Sequence, residues 1–194
     1  MGSEISAQGI AVAERKAPRA RFVEVDHIAV ADPPADLAGW ATHAVCSEVL
    51  EHVDDPVTLM RHVRAWMAPG CRVVVTVPGG PMSAFDRHIG HRRHFTPADL
   101  AELLTDAGYA VERATGAGFP FFNLYRSAVV ARGDKLVADV AAGETEGAPA
   151  SRLARVVMAG FRPLFALNRD TGTRGWQTVA VARVPDPGAD GARG

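Results

Sequence analysis

Carboxylates and imidazoles concentrate in two stretches of the chain, where their types and spacing could support metal binding or proton transfer. In the first stretch, SEVLEHVDDP (47–56), Glu48 and Glu51 lie three residues apart and His52 follows at once. On a helical turn this spacing puts both carboxylates on one face. The second stretch, 88–94, holds three histidines at intervals of three residues: His88, His91 and His94.

Two kinds of chemistry are open to these residues. A carboxylate pair with an imidazole suits a divalent metal ion such as Mg, Mn or Zn. Alternatively, an imidazole that titrates near neutral pH could act as a general base, and His91 and His52 are the candidates for that catalytic role. Asp86, shortly before the second stretch, could orient one of the histidines.

The second stretch is also locally basic, because Arg87, Arg92 and Arg93 accompany its histidines. Arginine side chains match carboxylate and phosphate groups, so the segment could clamp an anionic part of a substrate. The alternative is a polar loop that caps the ends of strands. We favour substrate contact, which makes His88, Arg92 and His94 candidate substrate-binding residues.

The elements that must position these residues alternate between strand and helix. Strands are predicted at 21–26, 41–47, 72–78, 109–116 and 176–185, and helices at 5–18, 56–67 and 97–108. The stretch 41–47 is apolar on both faces, as a central parallel strand should be, and Pro69-Gly70 ends the second helix. The alternation predicts an α/β fold with a doubly wound, mostly parallel sheet. Pairing of 109–116 with 176–185 would add an antiparallel edge strand.

Acidic or polar side chains lie at the ends of several predicted strands. The four residues are Glu4, Asp26, Ser47 and Glu48. In an open α/β sheet, ligands bind outside the carboxyl ends of the strands, so all four are candidate ligand contacts. Each could instead be a solvated side chain or the cap of a turn.

The order of these pieces resembles the class I S-adenosylmethionine (SAM)-dependent methyltransferases. The matching pieces are Asp26, SEVLEH, the Pro69-Gly70 turn, VVVTVP and the histidine-rich entry to TPADL. The resemblance covers about residues 2–130 and the last strand. It implies a Rossmann-like fold, SAM as cofactor, and methyl transfer to oxygen or nitrogen of a small-molecule acceptor.

The resemblance also implies roles for individual residues. Glu4 would accept the ribose hydroxyls of SAM, and Asp26 would hold its adenine amino group. Ser47 and Glu48 would lie beside the methionine part of SAM. The acceptor would sit between SEVLEH, the loop 82–94 and the aromatic stretch 119–126, in which Phe122 is a candidate substrate contact. Phenols, sugars, lipid-linked acids and RNA ends fit this description equally well.

A narrower resemblance concerns the metal-dependent O-methyltransferases, namely the small-RNA 2′-O-methyltransferases and the ubiquinone-pathway enzymes. Their ligand pattern matches Glu48, Glu51, His52 and His91. This would imply that a divalent ion positions and polarises the acceptor hydroxyl. Many methyltransferases with no known metal carry a similar string, so the metal-free alternative with a histidine base stays open.

The chain departs from this family in its first half. The family binds SAM with a glycine-rich loop after its first strand, and nothing before residue 47 matches that loop. Two explanations compete. Either the missing unit is encoded upstream, which we favour, or the strand 21–26 pairs directly with 41–47 in a shrunken sheet. A non-catalytic methyltransferase-like module is therefore the alternative to an active enzyme.

Length and composition are those of one domain. The chain has 194 residues, 47% hydrophobic content and a formal net charge of -1, which gives no strong nucleic-acid signal. No apolar run reaches the roughly 18 residues needed to cross a bilayer, and we see no signal peptide, so we expect a cytoplasmic protein. We expect one partial methyltransferase domain at 1–185 with a polar insertion near 133–151, a disordered tail at 186–194, and an exposed strand edge that favours a homo-oligomer.

Overall fold

The structure, a computed structural model, describes residues 1–131, 163–169 and 172–186. The predicted polar insertion near 133–151, and all but the first residue of the predicted tail at 186–194, lie outside the described residues. Within the described part, no helix is long and apolar enough to span a bilayer.

Strands and helices alternate along the described chain, as predicted. The strands are β1 (Gly2–Glu4), β2 (Phe22–Glu24), β3 (Ala41–Ser47), β4 (Met67–Pro78), β5 (Ala110–Ala117) and β6 (Gln177–Arg183). The helices are α1 (Ala7–Lys16), α2 (Pro56–Arg64), α3 (Ala84–His88), α4 (Pro97–Asp106) and α5 (Phe121–Ala131), with a 3-10 turn at Leu50–His52. Side-chain caps begin four of the helices: Ser6 for α1, Asp55 for α2, Ser83 in a capping box with Asp86 for α3, and Thr96 in a capping box with Asp99 for α4.

The strands form two sheets. β1 and β2 pair in parallel as a two-stranded sheet, and the other four strands have the order β3-β4-β6-β5. β3 and β4 are parallel, whereas β6 runs antiparallel to both β4 and β5. The predicted pairing of the last strand with 109–116 and the antiparallel edge are therefore confirmed, with β5 outermost and β6 next to it.

The core lies between the four-stranded sheet and helices α2 and α4. Alternate residues of β4, from Cys71 to Val77, are almost fully buried, as period-two side-chain alternation requires. Leu100, Leu103 and Leu104 of α4 pack into the same cluster. Burying a leucine side chain stabilises a fold by about 1.5–3 kcal/mol. This packing therefore holds the sheet in place, and with it the strand ends at which the candidate site lies.

The predicted end of the second helix is wrong by a few residues. α2 ends at Arg64, and Pro69-Gly70 lies inside β4 rather than at a helix end. Gly70 has a φ of 76°, in the left-handed region that glycine favours, and its N–H donates to the carbonyl of Val184 at 2.9 Å. The turn-forming pair therefore makes an irregularity at the start of a long strand.

β3 is an edge strand of its sheet and not the central strand that its apolar sequence predicted. Among the described residues, no strand pairs with its outer edge, and the alternative in which 21–26 pairs directly with 41–47 is wrong because β2 and β3 belong to different sheets. Val45 of β3 is 74% exposed and Trp40 just before it is 54% exposed. The apolar sequence of β3 is of the kind expected for a strand with neighbours on both sides, which is why it was misleading here.

Candidate functional site

Ser47 and Glu48 lie at the carboxyl end of β3, where neighbouring strands hold them. The hydroxyl oxygens of Ser47 and Thr76 are 2.7 Å apart, and the Glu48 N–H donates to the Thr76 carbonyl at 2.9 Å. Glu48 Oε1 accepts from Gln177 Nε2 of β6 at 2.7 Å. Glu48 has a φ of 54°, and left-handed backbone at a residue other than glycine is often found at functional sites.

The 3-10 turn after Glu48 buries a carboxyl group. Leu50 enters the core, while the Glu51 side chain is 0% exposed and neither of its carboxylate oxygens has a hydrogen-bond partner among the described residues. Burial raises the pKa of Glu51 to about 7; its own backbone N–H opposes this shift and the charge of Glu48 adds to it. His52 Nε2 lies 3.9 Å from Glu51 Oε1, and the His52 side chain is 41% exposed.

Asp86 is a buried anion on the other side of the site. The N–H and hydroxyl of Ser83 each donate to Asp86 Oδ2 at 2.7 Å, and Arg126 Nη2 lies 3.1 Å from both carboxylate oxygens. Burial works to raise the pKa of Asp86, but the hydrogen bonds from Ser83 and Arg126 outweigh it and lower that pKa below its usual value. Asp86 is therefore ionised at neutral pH.

His91 and His94 lie between Asp86 and His52. His91 Nδ1 is 3.2 Å from His94 Nε2, and His94 Nδ1 is 3.1 Å from the Gly80 carbonyl. The rings of His52 and His91 meet edge to face with centroids 4.8 Å apart. Burial lowers the pKa of His91, the proximity of His52 lowers it further, and the charge of Asp86 opposes both effects. His91 is therefore neutral near pH 7.

These contacts bring together one group of side chains, which we call the histidine cluster. Its members are Glu51, His52, Asp86, His91 and His94. Two sets of three within it, Glu51–His52–His91 and Asp86–His91–His94, each present one ligand atom per residue with all atoms within 4.8 Å of one another. Glu48 belongs to neither set, since its carboxylate turns to β6. The four predicted metal ligands are thus not all brought together.

The basic residues of the loop mostly bind the protein itself. Arg92 Nε donates to the His52 carbonyl at 2.8 Å, and Arg92 also pairs with the Asp54 carboxylate. Arg93 Nη2 donates to the Asp54 carbonyl at 3.0 Å. His88 is exposed at the end of α3. Arg92 and Arg93 thus tie this loop to the segment 52–54 that follows β3.

Glu4 ends β1 and Asp26 follows β2, the two strands of the small sheet. The hydrogen bonds of both carboxylates are to neighbouring residues in the chain and not to the histidine cluster. Glu4 Oε1 accepts from the N–H groups of Ile5 and Ser6 at 3.0 and 3.2 Å. Asp26 Oδ1 accepts from the N–H of Ile28 at 2.8 Å. Within the described residues, the second oxygen of each carboxylate accepts no hydrogen bond, so each can still take a donor from a ligand.

A cavity of about 330 Å³ opens beside the carboxyl end of β5. Its lining residues are Ala117, Gly118, Phe122, Phe165, Asn168, Arg169 and Gln177. The rings of Phe122 and Phe165 stack edge to face with centroids 6.3 Å apart, and Asn168 Oδ1 accepts from the N–H of Phe122 at 3.3 Å. Gln177 connects this cavity to Glu48. Phe122, predicted as a substrate contact, thus lies in a concave aromatic site.

Sequence reasoning missed two residues of this region. Arg126, which pairs with Asp86, lies in an apolar stretch for which we predicted no element, although it follows Phe122 by one helical turn. Gln177 gave no signal, because its bond to Glu48 joins residues far apart in the chain.

Comparison with known proteins identifies one family. A family model described as a methyltransferase domain matches residues 1–114. The ubiquinone biosynthesis O-methyltransferase of Aeromonas salmonicida (strain A449) is 29% identical over 97 residues, which are 42% of this chain. The chain spans 41% of the length of that curated relative.

Solved structures share the fold at low sequence identity. The [4+2]-cyclase SpnF superposes with a TM-score of 0.55 at 20% identity, covering 96% of this chain and 66% of that protein. Phosphoethanolamine N-methyltransferase 2 of Haemonchus contortus, solved in complex with S-adenosyl-L-methionine, gives a TM-score of 0.54 at 14% identity, over 95% of this chain and 43% of that protein. These likenesses confirm the predicted fold class.

Proposed function

Because the chain belongs to the methyltransferase-domain family, we propose that it is a SAM-dependent methyltransferase acting on oxygen or nitrogen of a small-molecule acceptor. One observation supports this most. His52 ends the 3-10 turn that follows Ser47 and Glu48 beyond the carboxyl end of β3, and its ring packs against His91; this is the side of an open α/β sheet where ligands bind.

The hydrogen-bond acceptors at the strand ends suit the groups of SAM that donate. Glu4 and Asp26 each keep one carboxylate oxygen that accepts no hydrogen bond within the described residues, which suits the ribose hydroxyls and the adenine amino group. Ser47 and Glu48 would lie beside the methionine part. SAM, when bound, supplies a methyl group on a positively charged sulfur.

We assign the general base to His52. Its side chain is 41% exposed and can meet an acceptor, whereas the His91 side chain is only 9% exposed and is engaged with His94. His52 would take the proton that the acceptor atom loses on methylation. His91 packs against its ring and positions it. Proton transfer of this kind contributes about 10²–10⁴-fold to a rate.

The cavity beside Phe122 is the proposed acceptor site. Phe122 and Phe165 would contact an apolar or aromatic part of the acceptor, and Gln177 would connect that part with Glu48. His88, Arg92 and His94 stay candidate contacts for polar groups, although Arg92 and His94 already bond to the protein.

Transfer of label from methyl-labelled SAM to a panel of phenols, sugars and amines tests this function. We expect His52→Gln to lower kcat by about 10²-fold or more while the affinity for SAM is unchanged. His43→Gln, at an exposed histidine of β3, is the matched control and should behave as wild type. Equal kcat values for His52→Gln and wild type would refute the role of His52.

A metal-dependent O-methyltransferase is the second candidate, because Glu51 is buried with two unpartnered oxygens beside His52 and His91. A divalent ion such as Mg, Mn or Zn held there would polarise an acceptor hydroxyl. In that case a chelator abolishes label transfer and added ion restores it. Unchanged transfer after chelation would rule this candidate out.

The open edge of β3 supports two further proposals. An unpaired edge exposes N–H and C=O groups that favour pairing with another chain, so we propose a homo-oligomer. The same edge also fits a non-catalytic module that acts through a partner. Sedimentation of the purified chain tests the homo-oligomer, and a monomer at all concentrations would contradict it.

A further inference from the structure

We propose that Asp86, His91 and His94 bind a divalent ion of the zinc class, at a site separate from the Glu51–His52 pair. His91 Nδ1 lies 3.2 Å from His94 Nε2 and 4.0 Å from Asp86 Oδ1. His94 Nε2 lies 3.9 Å from Asp86 Oδ2. One ligand atom from each of the three residues lies within 4.8 Å of the other two, a spacing that small rotations of the side chains can close around an ion to the roughly 2.0–2.2 Å of zinc bonds to imidazole and carboxylate.

The hydrogen bonds of His94 leave the required lone pair facing the site. His94 Nδ1 lies 3.1 Å from the Gly80 carbonyl, which can only accept, so Nδ1 carries the proton. In the neutral ring Nε2 is then unprotonated and points at His91 Nδ1. A ligating histidine whose other nitrogen donates to a backbone carbonyl is the usual arrangement at protein metal sites.

Asp86 can supply the third ligand atom. Its Oδ2 already accepts from Ser83 twice and from Arg126, whereas Oδ1 accepts only from Arg126. Among the described residues Oδ1 thus accepts one hydrogen bond where Oδ2 accepts three, so Oδ1 keeps a lone pair for an ion, and it lies 4.0 Å from His91 Nδ1. The three side chains are at least nine-tenths buried, with exposures of 1%, 9% and 6%, which limits competition from water.

Arg126 sets a limit on the affinity. Its positive charge lies beside Asp86 and opposes a second cation there, so we expect micromolar rather than nanomolar binding. Two imidazoles and one carboxylate form a donor set that suits zinc and its transition-metal neighbours better than Mg, which prefers oxygen ligands.

Ion binding would also change the state of His91. Coordination through Nδ1 leaves the ring proton on Nε2, so His91 can donate a hydrogen bond but cannot accept a proton. The ion would join the start of α3 to the segment 91–94 and hold the ring that packs against His52.

Calorimetric titration of the tag-free chain with Zn²⁺ near neutral pH, compared among variants, tests the site. We expect one site with micromolar affinity in wild type and at least tenfold weaker binding in His94→Asn, whose amide nitrogen can take the place of Nδ1 and keep the bond to Gly80. His52→Gln should bind as wild type does, because His52 is a ligand only in the other set. His43→Gln is the control for surface histidines, and circular dichroism checks that each variant is folded.

The outcomes distinguish the proposed Asp86–His91–His94 site from an ion held by Glu51, His52 and His91. Absence of stoichiometric zinc in wild type would overturn it, as would loss of binding in His52→Gln, which would move the ion to the Glu51–His52–His91 set. Should His94→Asn fail to fold, retained binding in His52→Gln together with loss in His91→Gln supports the site, and loss in His52→Gln overturns it.

Discussion

Replacement of Glu51 by glutamine should change how the stability of this protein depends on pH. Glu51 is fully buried, and burial raises its pKa from an ordinary 4.5 to about 7. The folded state therefore holds this proton more tightly than the unfolded state does. Stability rises with pH only where the unfolded state binds more protons, so the contribution of Glu51 to wild-type stability is lost as pH rises from about 4.5 to about 7.

The size of the effect follows from the same pKa values. A difference between 4.5 and about 7, at about 1.4 kcal/mol for each pKa unit, corresponds to about 3 kcal/mol. Glu51→Gln removes the titrating group and with it this loss. Any fixed cost of burying an amide is the same at every pH, so it cancels when the variant is compared with wild type across the range.

Urea unfolding at pH 5, 6, 7 and 8 with a chelator present measures this difference. Relative to wild type, Glu51→Gln should gain up to about 3 kcal/mol between pH 5 and pH 8. Glu102→Gln, at an exposed carboxylate of α4, is the matched control and should follow the wild-type curve. A difference between Glu51→Gln and wild type that does not vary with pH would refute the reasoning.

Two other substitutions test the core and the cavity. Leu104→Ala removes a fully buried side chain and should lower the free energy of unfolding by about 2–5 kcal/mol. The control is Leu124→Ala, at a side chain of α5 that is 59% exposed, which should lower it far less. Equal losses for the two variants in denaturant unfolding would contradict the packing described. Phe122→Ala should raise KM for the acceptor at least several-fold without weakening SAM binding, and an unchanged KM would exclude the cavity as the acceptor site.

Local patterns in the sequence predicted most of the elements. Strand 41–47 and the start of α4 at Thr96-Pro97 are found where they were expected, because strand alternation and helix caps act within a few residues. α5 was not predicted, because a short apolar run that follows a glycine and a proline fits a buried strand as well as a helix. The Pro69-Gly70 pair was misinterpreted, because the same residues that end a helix can also interrupt a strand.

The candidate site depended more on contacts between distant residues. The adjacency of Glu51 and His52 is visible in the sequence, but the turn of Glu48 towards Gln177 depends on β6, which lies 129 residues away in the chain. The pairing of Asp86 with Arg126 likewise joins two helices. Such contacts arise from the packing of the sheet, and no local pattern specifies them.

Calorimetric titration of the folded chain with SAM, and with its demethylated product, tests the central claim most directly. We expect saturable binding with a micromolar Kd, and at least tenfold weaker binding for Asp26→Asn, whose carboxylate ends the second strand. Asp32→Asn, at an exposed position of the following loop, is the control and should bind as wild type does. A folded chain that binds neither compound at millimolar concentration would contradict the proposed methyltransferase and favour a non-catalytic module.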